Sequence, residues 1–429
     1  MMPTAAQPKI HIERMMYRNS IAVTGDSAAS YALIKLIPAG GGAPKPLPLN
    51  LALVLDVSGS MYEEDGTGIS RLARIQQAAL AAVQKLKPED RLAIVAFAHD
   101  SQVVLPSTPL TQKADIERVI SQIDRYDVDP GGTSMDQGIQ MGLSEVCKYQ
   151  AEGTLSQLVV LTDGETSGEQ MCRQLAQQAA QQKVHFNVIG VGTEWNQTLI
   201  KDLARLGEGD WGYIDVSDAQ AATRVFVEQF SSLAAAGFLN VEMRIKAMKD
   251  IKVKRIRQVV PDIKEIPFSE PEERLHLAHL GTLERDKPAR YILDLSLPKR
   301  PDGKFVIAQI EVSYEVGRGR ESTGLLPLEV QYSSAGQGYV NAEVAKHIDE
   351  VKIFEQNKLL QAAIAKDDKA EIQRVAESIA KTSEVMGPRA AKKTMLAKQV
   401  LQELHVGGRV SKKTQLAVDD VARLVEEGQ

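Results

Sequence analysis

Leu51-Ala-Leu-Val-Leu55, followed without a break by Asp56-Val-Ser-Gly-Ser60, constrains this chain more than any other stretch. An apolar run of strand length without alternation suits a strand buried on both faces, as in a parallel sheet covered by helices. Asp56, Ser58 and Ser60 then fall on the turn leaving that strand, ahead of a helical pattern that begins near Ile69. In open α/β sheets, ligands sit in the crevice beyond the carboxyl ends of the strands. D-x-S-x-S therefore presents one carboxylate and two hydroxyls where such folds bind. These are hard oxygen donors, suited to Mg²⁺ or Mn²⁺ and unlike the thiolates and imidazoles that softer metals take.

Around this stretch strands and helices alternate. Strand candidates at 50–56, 91–98, 156–162, 184–191 and 211–216 are separated by helical patterns at 69–87, 113–124, 134–149, 168–182, 196–206 and 218–234. That alternation predicts a doubly wound, mainly parallel α/β sheet over residues 49–236. Ser101–Leu105 follows its predecessor too closely for a helical crossover and is expected as an antiparallel edge strand.

Residues 8–47 and 237–332 read as half-buried strands instead. Lys9–Glu13 with its continuation to Val23, Ser30–Ile37, Leu239–Ile245, Tyr291–Leu297 and Ala308–Tyr314 all alternate. Two strands alone are unstable, so both blocks are expected to build one β-sandwich with the α/β domain inserted between them. The Gly- and Pro-rich stretch at 40–48 reads as the linker. From 340 to 429, apolar residues at helical spacing predict three or four amphipathic helices, broken at Asp367-Asp368, Gly387-Pro388 and Gly407-Gly408. Residues 389–413 carry seven Lys or Arg against one Glu, which reads as a solvated basic face or as a docking surface for an acidic partner.

Net charge is −5 over 429 residues, so bulk electrostatics give no footprint for nucleic acid. No run approaches the roughly 18 apolar residues of a membrane span. Met1–Met16 lacks the apolar core of a signal peptide, which makes the cytoplasm the expected location. Cys147 and Cys172 lie in helical patterns and read as reduced, structural thiols.

Two further stretches complete a constellation. Pro130-Gly-Gly-Thr-Ser134 precedes a helical pattern, so Thr133 can offer a hydroxyl from a glycine-rich loop. Leu158-Val-Val-Leu-Thr-Asp-Gly164 is a second buried-strand pattern, ending in Asp163. Taken singly, Ser58 and Ser60 also read as N-caps or turn formers, and Asp163 as an Asp-Gly turn. Taken together and in this order, the three stretches resemble a von Willebrand factor A domain with an intact metal-ion-dependent adhesion site, over about residues 49–236. The resemblance implies that Ser58, Ser60 and Thr133 bind the metal through hydroxyls, while Asp56 and Asp163 act largely through water. Mg²⁺ is the implied ion, with Mn²⁺ or Ca²⁺ as alternatives. Neutral hydroxyls leave such a cation under-compensated, so a protein partner's Asp or Glu would complete its coordination. The split sandwich and helical tail also look like bacterial relatives of calcium-activated chloride channel and inter-α-trypsin inhibitor heavy-chain proteins. For a chain without an export signal, the resemblance implies an intracellular assembly or regulatory factor, working with an ATPase of the AAA+ kind.

Other readings stand beside this one. A metal-dependent hydrolase or phosphotransferase would use the same sheet, but the chain has no Gly-rich phosphate loop with Lys and no G-x-S-x-G elbow. Its site offers no general base beyond the metal's own carboxylates. A scaffold whose helical tail carries recognition is the third reading. The acidic loop Tyr62–Gly68 reads as a solvated insertion or as a bias toward a basic-flanked ligand, and Trp195 as a partner anchor or as core. His276 and His279, three apart in a strand pattern, point to opposite faces and read as structural.

Overall fold

A computed structural model describes residues 9–23, 27–39, 47–64, 68–125, 132–151, 153–163, 166–192, 196–214, 220–225, 236–316 and 319–423. The chain divides into two compact units, one of them Pro44–Asn240 with Glu315–Gly319 and the other the remainder.

The first unit is the α/β domain. Its six-stranded sheet runs in the order Ser101–Pro109, Arg91–Phe97, Leu49–Asp56, Leu155–Thr162, His185–Val191, Trp211–Ile214. All neighbours are parallel except Ser101–Pro109, an antiparallel edge strand. Leu49–Asp56 and Leu155–Thr162 are buried along their whole length, as unbroken apolar runs with helices on both faces require. The strand order grows outward in both directions from this central pair. The crevice between their carboxyl ends is thus a topological switch point, where open α/β sheets place their ligands.

The helices Arg71–Val83, Lys113–Ile120, Met135–Cys147, Glu169–Gln181 and Gln197–Leu206 fall inside the predicted ranges, trimmed at their ends. Ser70 caps the first by accepting from Ala73 N–H at 3.2 Å, and Asn196 caps the last by accepting from Leu199 N–H at 3.1 Å. Most of the predicted helix at 218–234 lies outside the described residues; 221–225 are helical. Trp195 and residues 215–216 of the last predicted strand also lie outside them.

Among the described residues the second unit holds two sheets and four α-helices. One sheet has the order Lys9–Met16, Ser27–Ala39, Ala289–Pro298, Lys252–Val260, Lys264–Ile266. The other runs Phe268–Glu272, Leu275–Glu284, Ala236–Ala247, Gly303–Val316, Leu326–Ser333, Ser20–Ala22, with Gly319–Ser322 paired to Gly303–Val316. The expectation of one continuous N-terminal strand piece from Lys9 to Val23 is corrected here. The first strand ends at Met16, and Ser20–Ala22 joins the other sheet, parallel to Leu326–Ser333. The bend between them is fixed by Tyr17 N–H donating to Tyr31 O and Asn19 N–H donating to Tyr339 O. Of the predicted linker at 40–48, residues 40–46 lie outside the described residues.

The C-terminal helices are Ala342–Ala365, Lys369–Met386, Ala391–Gly407 and Lys412–Arg423. Asn341 caps the first and Asp368 the second, while Gly408 in the left-handed region (φ 66°) ends the third. Val344 and Val351 of the first helix pack on Leu33, Val259 and Ile292 of the five-stranded sheet. Lys393 departs from a purely solvated basic face, being buried, and Lys398 pairs with Glu384 at 2.7 Å.

His276 is buried edge-on against the Phe268 ring, whereas His279 is exposed, so the two share no face. Cys147 and Cys172 are both free, and burial pushes the Cys172 thiol up to about 12. Among the described residues, no helix is long and apolar enough to cross a membrane.

Candidate metal-binding site

Asp56 is the last residue of its strand and Thr162 the last of the neighbouring one, each following the paired Leu55 and Leu161. Val57 N–H donates to Phe97 O at 2.9 Å, and a 3₁₀ turn over Gly59–Tyr62 then folds the serines back over the sheet edge. Ser58 stands at the N-cap position of that turn, yet its hydroxyl makes no capping bond. It lies 3.3 Å from the Ser60 hydroxyl instead. Ser60 Oγ donates to Asp163 Oδ1 at 2.8 Å. The N-cap reading of Ser58 thus gives way to a cluster of converging oxygens.

Asp56 braces the turn from below. Its Oδ1 accepts the Ser58 N–H at 3.0 Å, and its Oδ2 accepts the Thr162 hydroxyl at 2.7 Å. Burial of its side chain pushes its pKa up from 3.8 to about 6, and Asp163 nearby adds to the rise, against the bonds from Ser58 and Thr162.

Thr133 reaches the same edge from a third strand end. Ser134 Oγ donates to His99 O at 2.7 Å, just beyond the strand Arg91–Phe97, and Thr166 Oγ1 donates to Thr133 O at 2.9 Å. Gly132 lies close against His99: a Cβ there would come 3.0 Å from the His99 ring. The contacts described for Thr133 hold it by its carbonyl, and Thr133 is half-buried. Ser58, Ser60 and Asp163 are therefore joined directly, Asp56 stands one bond behind them, and Thr133 is brought to the same edge without a described bond from its hydroxyl to the other four.

The donors fit a small divalent cation. Bonds of ~2.0–2.1 Å in an octahedron put adjacent oxygens about 2.9 Å apart. The Ser58 and Ser60 hydroxyls, 3.3 Å apart, lie close to that edge, and the 2.8 Å hydrogen bond from Ser60 to Asp163 suits a carboxylate that orients a ligand. Among the described residues no three His, Cys, Asp or Glu gather into a metal cage.

Two participants were not read from the sequence. Thr162, adjacent to Asp163, shows only as a strand residue until the register sets it beside Asp56. Arg71 donates from Nη1 to Asp163 Oδ2 at 2.7 Å and to Ser60 O at 3.4 Å, and its Nη2 lies 3.2 Å from Glu63 Oε2. The acidic loop is thus partly neutralised from within, since Glu63 has a cation; residues 65–67 lie outside the described residues.

Comparison with known proteins agrees with the fold of this unit. The von Willebrand factor type A domain matches residues 50–229. An uncharacterized protein of Synechocystis sp. is 27% identical over 345 residues, 79% of each chain. Mouse calcium-activated chloride channel regulator 3A-1 is 31% identical over 142 residues, and mouse inter-alpha-trypsin inhibitor heavy chain H2 is 24% identical over 176. These matches span 31% and 38% of this chain and only 15% and 18% of those longer proteins. Among solved structures, a von Willebrand factor type A protein from Catenulispora acidiphila shares the fold with a TM-score of 0.78 at 15% identity, covering 100% of this chain and 99% of that one. Residues 50–229 of this chain form a von Willebrand factor type A domain.

Proposed function

We propose that this chain is a non-enzymatic interaction protein whose A domain holds a divalent cation, Mg²⁺ by the hardness of its donors, and uses it to capture an Asp or Glu of a protein partner. Ser58, Ser60 and Thr133 would supply hydroxyls to the ion, and Asp56 and Asp163 would orient them and offset its charge. The observation that carries this reading is the convergence of Ser58, Ser60 and Asp163 at the switch point of the sheet. Domains of this family are commonly metal-dependent protein-interaction modules, which supports the same reading.

A catalytic role for the site is disfavoured by Asp56 itself. Its raised pKa gives it the proton affinity of a general base, but it is fully buried and both oxygens are taken, by the Ser58 N–H and the Thr162 hydroxyl. The proposal includes a cytoplasmic setting, supported by two cysteines that remain free thiols. An AAA+ ATPase is the partner class to look for first.

Affinity capture from lysate with the full chain as bait, in Mg²⁺ and in EDTA, tests this. A partner retained in Mg²⁺ and lost in EDTA, and lost equally with Thr133→Ala, is expected. Asp163→Asn is expected to weaken Mg²⁺ itself about 10- to 100-fold by direct titration. Partners held equally in EDTA and by both variants would reject the metal-bridged reading and favour the C-terminal helices as the recognition surface.

A further inference from the structure

Arg71 occupies a position that helix energetics do not explain. It is the first residue of the helix Arg71–Val83, whose first turn carries no acid. A cation there opposes the helix dipole. What holds it is the site: Asp163 at 2.7 Å and Ser60 O at 3.4 Å on one side, Glu63 at 3.2 Å on the other. The two carboxylates differ in kind, the Asp163 side chain being 0% exposed and that of Glu63 65%. A buried carboxylate needs a charge partner, and without a metal the only one described for Asp163 is this guanidinium.

We propose that Arg71 is an internal competitor of the metal. It holds Asp163 when no ion is bound and lowers the affinity of the site for divalent cations, while Glu63 draws it off Asp163 when an ion arrives. This rests on the metal-binding reading above and adds the group that sets how tightly the metal is held. Two like charges cannot share one buried carboxylate without repulsion, so occupancy by the ion weakens the 2.7 Å pair, and the 3.2 Å contact to Glu63 gives the displaced guanidinium an alternative partner. A purely architectural arginine predicts the reverse. Its loss would loosen Asp163 and weaken the metal.

Mn²⁺ titration by calorimetry on the full chain separates these, with thermal unfolding in EDTA reporting the folded state. Arg71→Met is expected to bind Mn²⁺ about tenfold more tightly. Arg71→Lys, which keeps the charge, should stay near the wild type. Glu63→Gln should bind roughly two- to threefold more weakly, the opposite sign, because the guanidinium then rests fully on Asp163. In EDTA, Arg71→Met should unfold at lower temperature than the wild type, and added Mn²⁺ should raise its melting temperature by more. Equal or weaker Mn²⁺ binding by Arg71→Met overturns the proposal. Should that variant not fold, Glu63→Gln binding as tightly as the wild type or tighter overturns it. No Mn²⁺ binding by the wild type would instead reject the metal reading, and this inference with it.

Discussion

Replacing Asp56 with Asn is expected to make the metal-free protein more stable at pH 8 while abolishing stabilisation by Mg²⁺. Burial raises the Asp56 pKa from 3.8 to about 6. Between those values the native state holds a proton that the unfolded state has released, so stability falls as pH rises through the window from 3.8 to 6. Above it the loss is complete, and about two units at 1.36 kcal/mol each put it near 3 kcal/mol. Asn removes the buried charge. Its carbonyl can still accept the Ser58 N–H, and its amide can donate to Thr162, so about 2 kcal/mol of that loss should be recovered. Urea unfolding in EDTA at pH 4 and pH 8 checks this: the wild type should lose stability between the two, and the variant should not. A divalent cation beside Asp56 favours its ionised form, so Mg²⁺ should stabilise the wild type at pH 8 and leave Asp56→Asn unmoved. A variant less stable than the wild type at pH 8 would mean that the ionised carboxylate is already compensated without metal. The domain keeps a buried acid that costs stability, as expected where function selects the residue.

Much of this site is legible because its residues end apolar runs. Leu51–Leu55 has no alternation, so it must be covered on both faces, and the turn after it must lie on the carboxyl edge of a sheet. Asp163 follows the same logic. The breaks between the C-terminal helices were equally readable, because Asp368 at a cap and Gly408 in a left-handed conformation act locally. The missing parts are those that only pairing decides. Thr162 meets Asp56 through the register of two strands 106 residues apart, and Arg71 meets Asp163 across 92. Nothing near Arg71 in sequence marks it as more than a surface residue at a helix start. The division of Lys9–Val23 between two sheets is of the same kind, since no glycine or proline marks the bend at Tyr17–Asn19 and only the partner strands reveal it.

Gly142→Val is expected to destabilise the A domain by about 3 kcal/mol, and Gly142→Ala by about 1 kcal/mol. Gly138 and Gly142 lie one turn apart on the helix Met135–Cys147, where helix propensity alone would disfavour them by about 1 kcal/mol each. The sheet supplies the reason. A Cβ at Gly142 would come 2.5 Å from Val54 Cγ2 and 2.6 Å from Leu158 Cδ1, both on the central pair of strands. Val54 is a short branched side chain in a filled core and has little room to turn away, so the helix itself must back off. For Ala the gain in helix propensity offsets part of the strain, while Val adds two methyl groups to the clash and a β-branch to the helix. Backing off also matters to the site, because the loop carrying Thr133 leads directly into this helix and is anchored through Ser134 to His99. Gly142→Val should therefore weaken Mg²⁺ binding as well as lower the urea midpoint, whereas Gly138→Ala, whose Cβ would meet Phe97 at 3.0 Å, should do both to a smaller degree. A lowered midpoint with unchanged Mg²⁺ affinity would show that Thr133 is positioned by its loop anchors and not by the seating of the helix on the sheet.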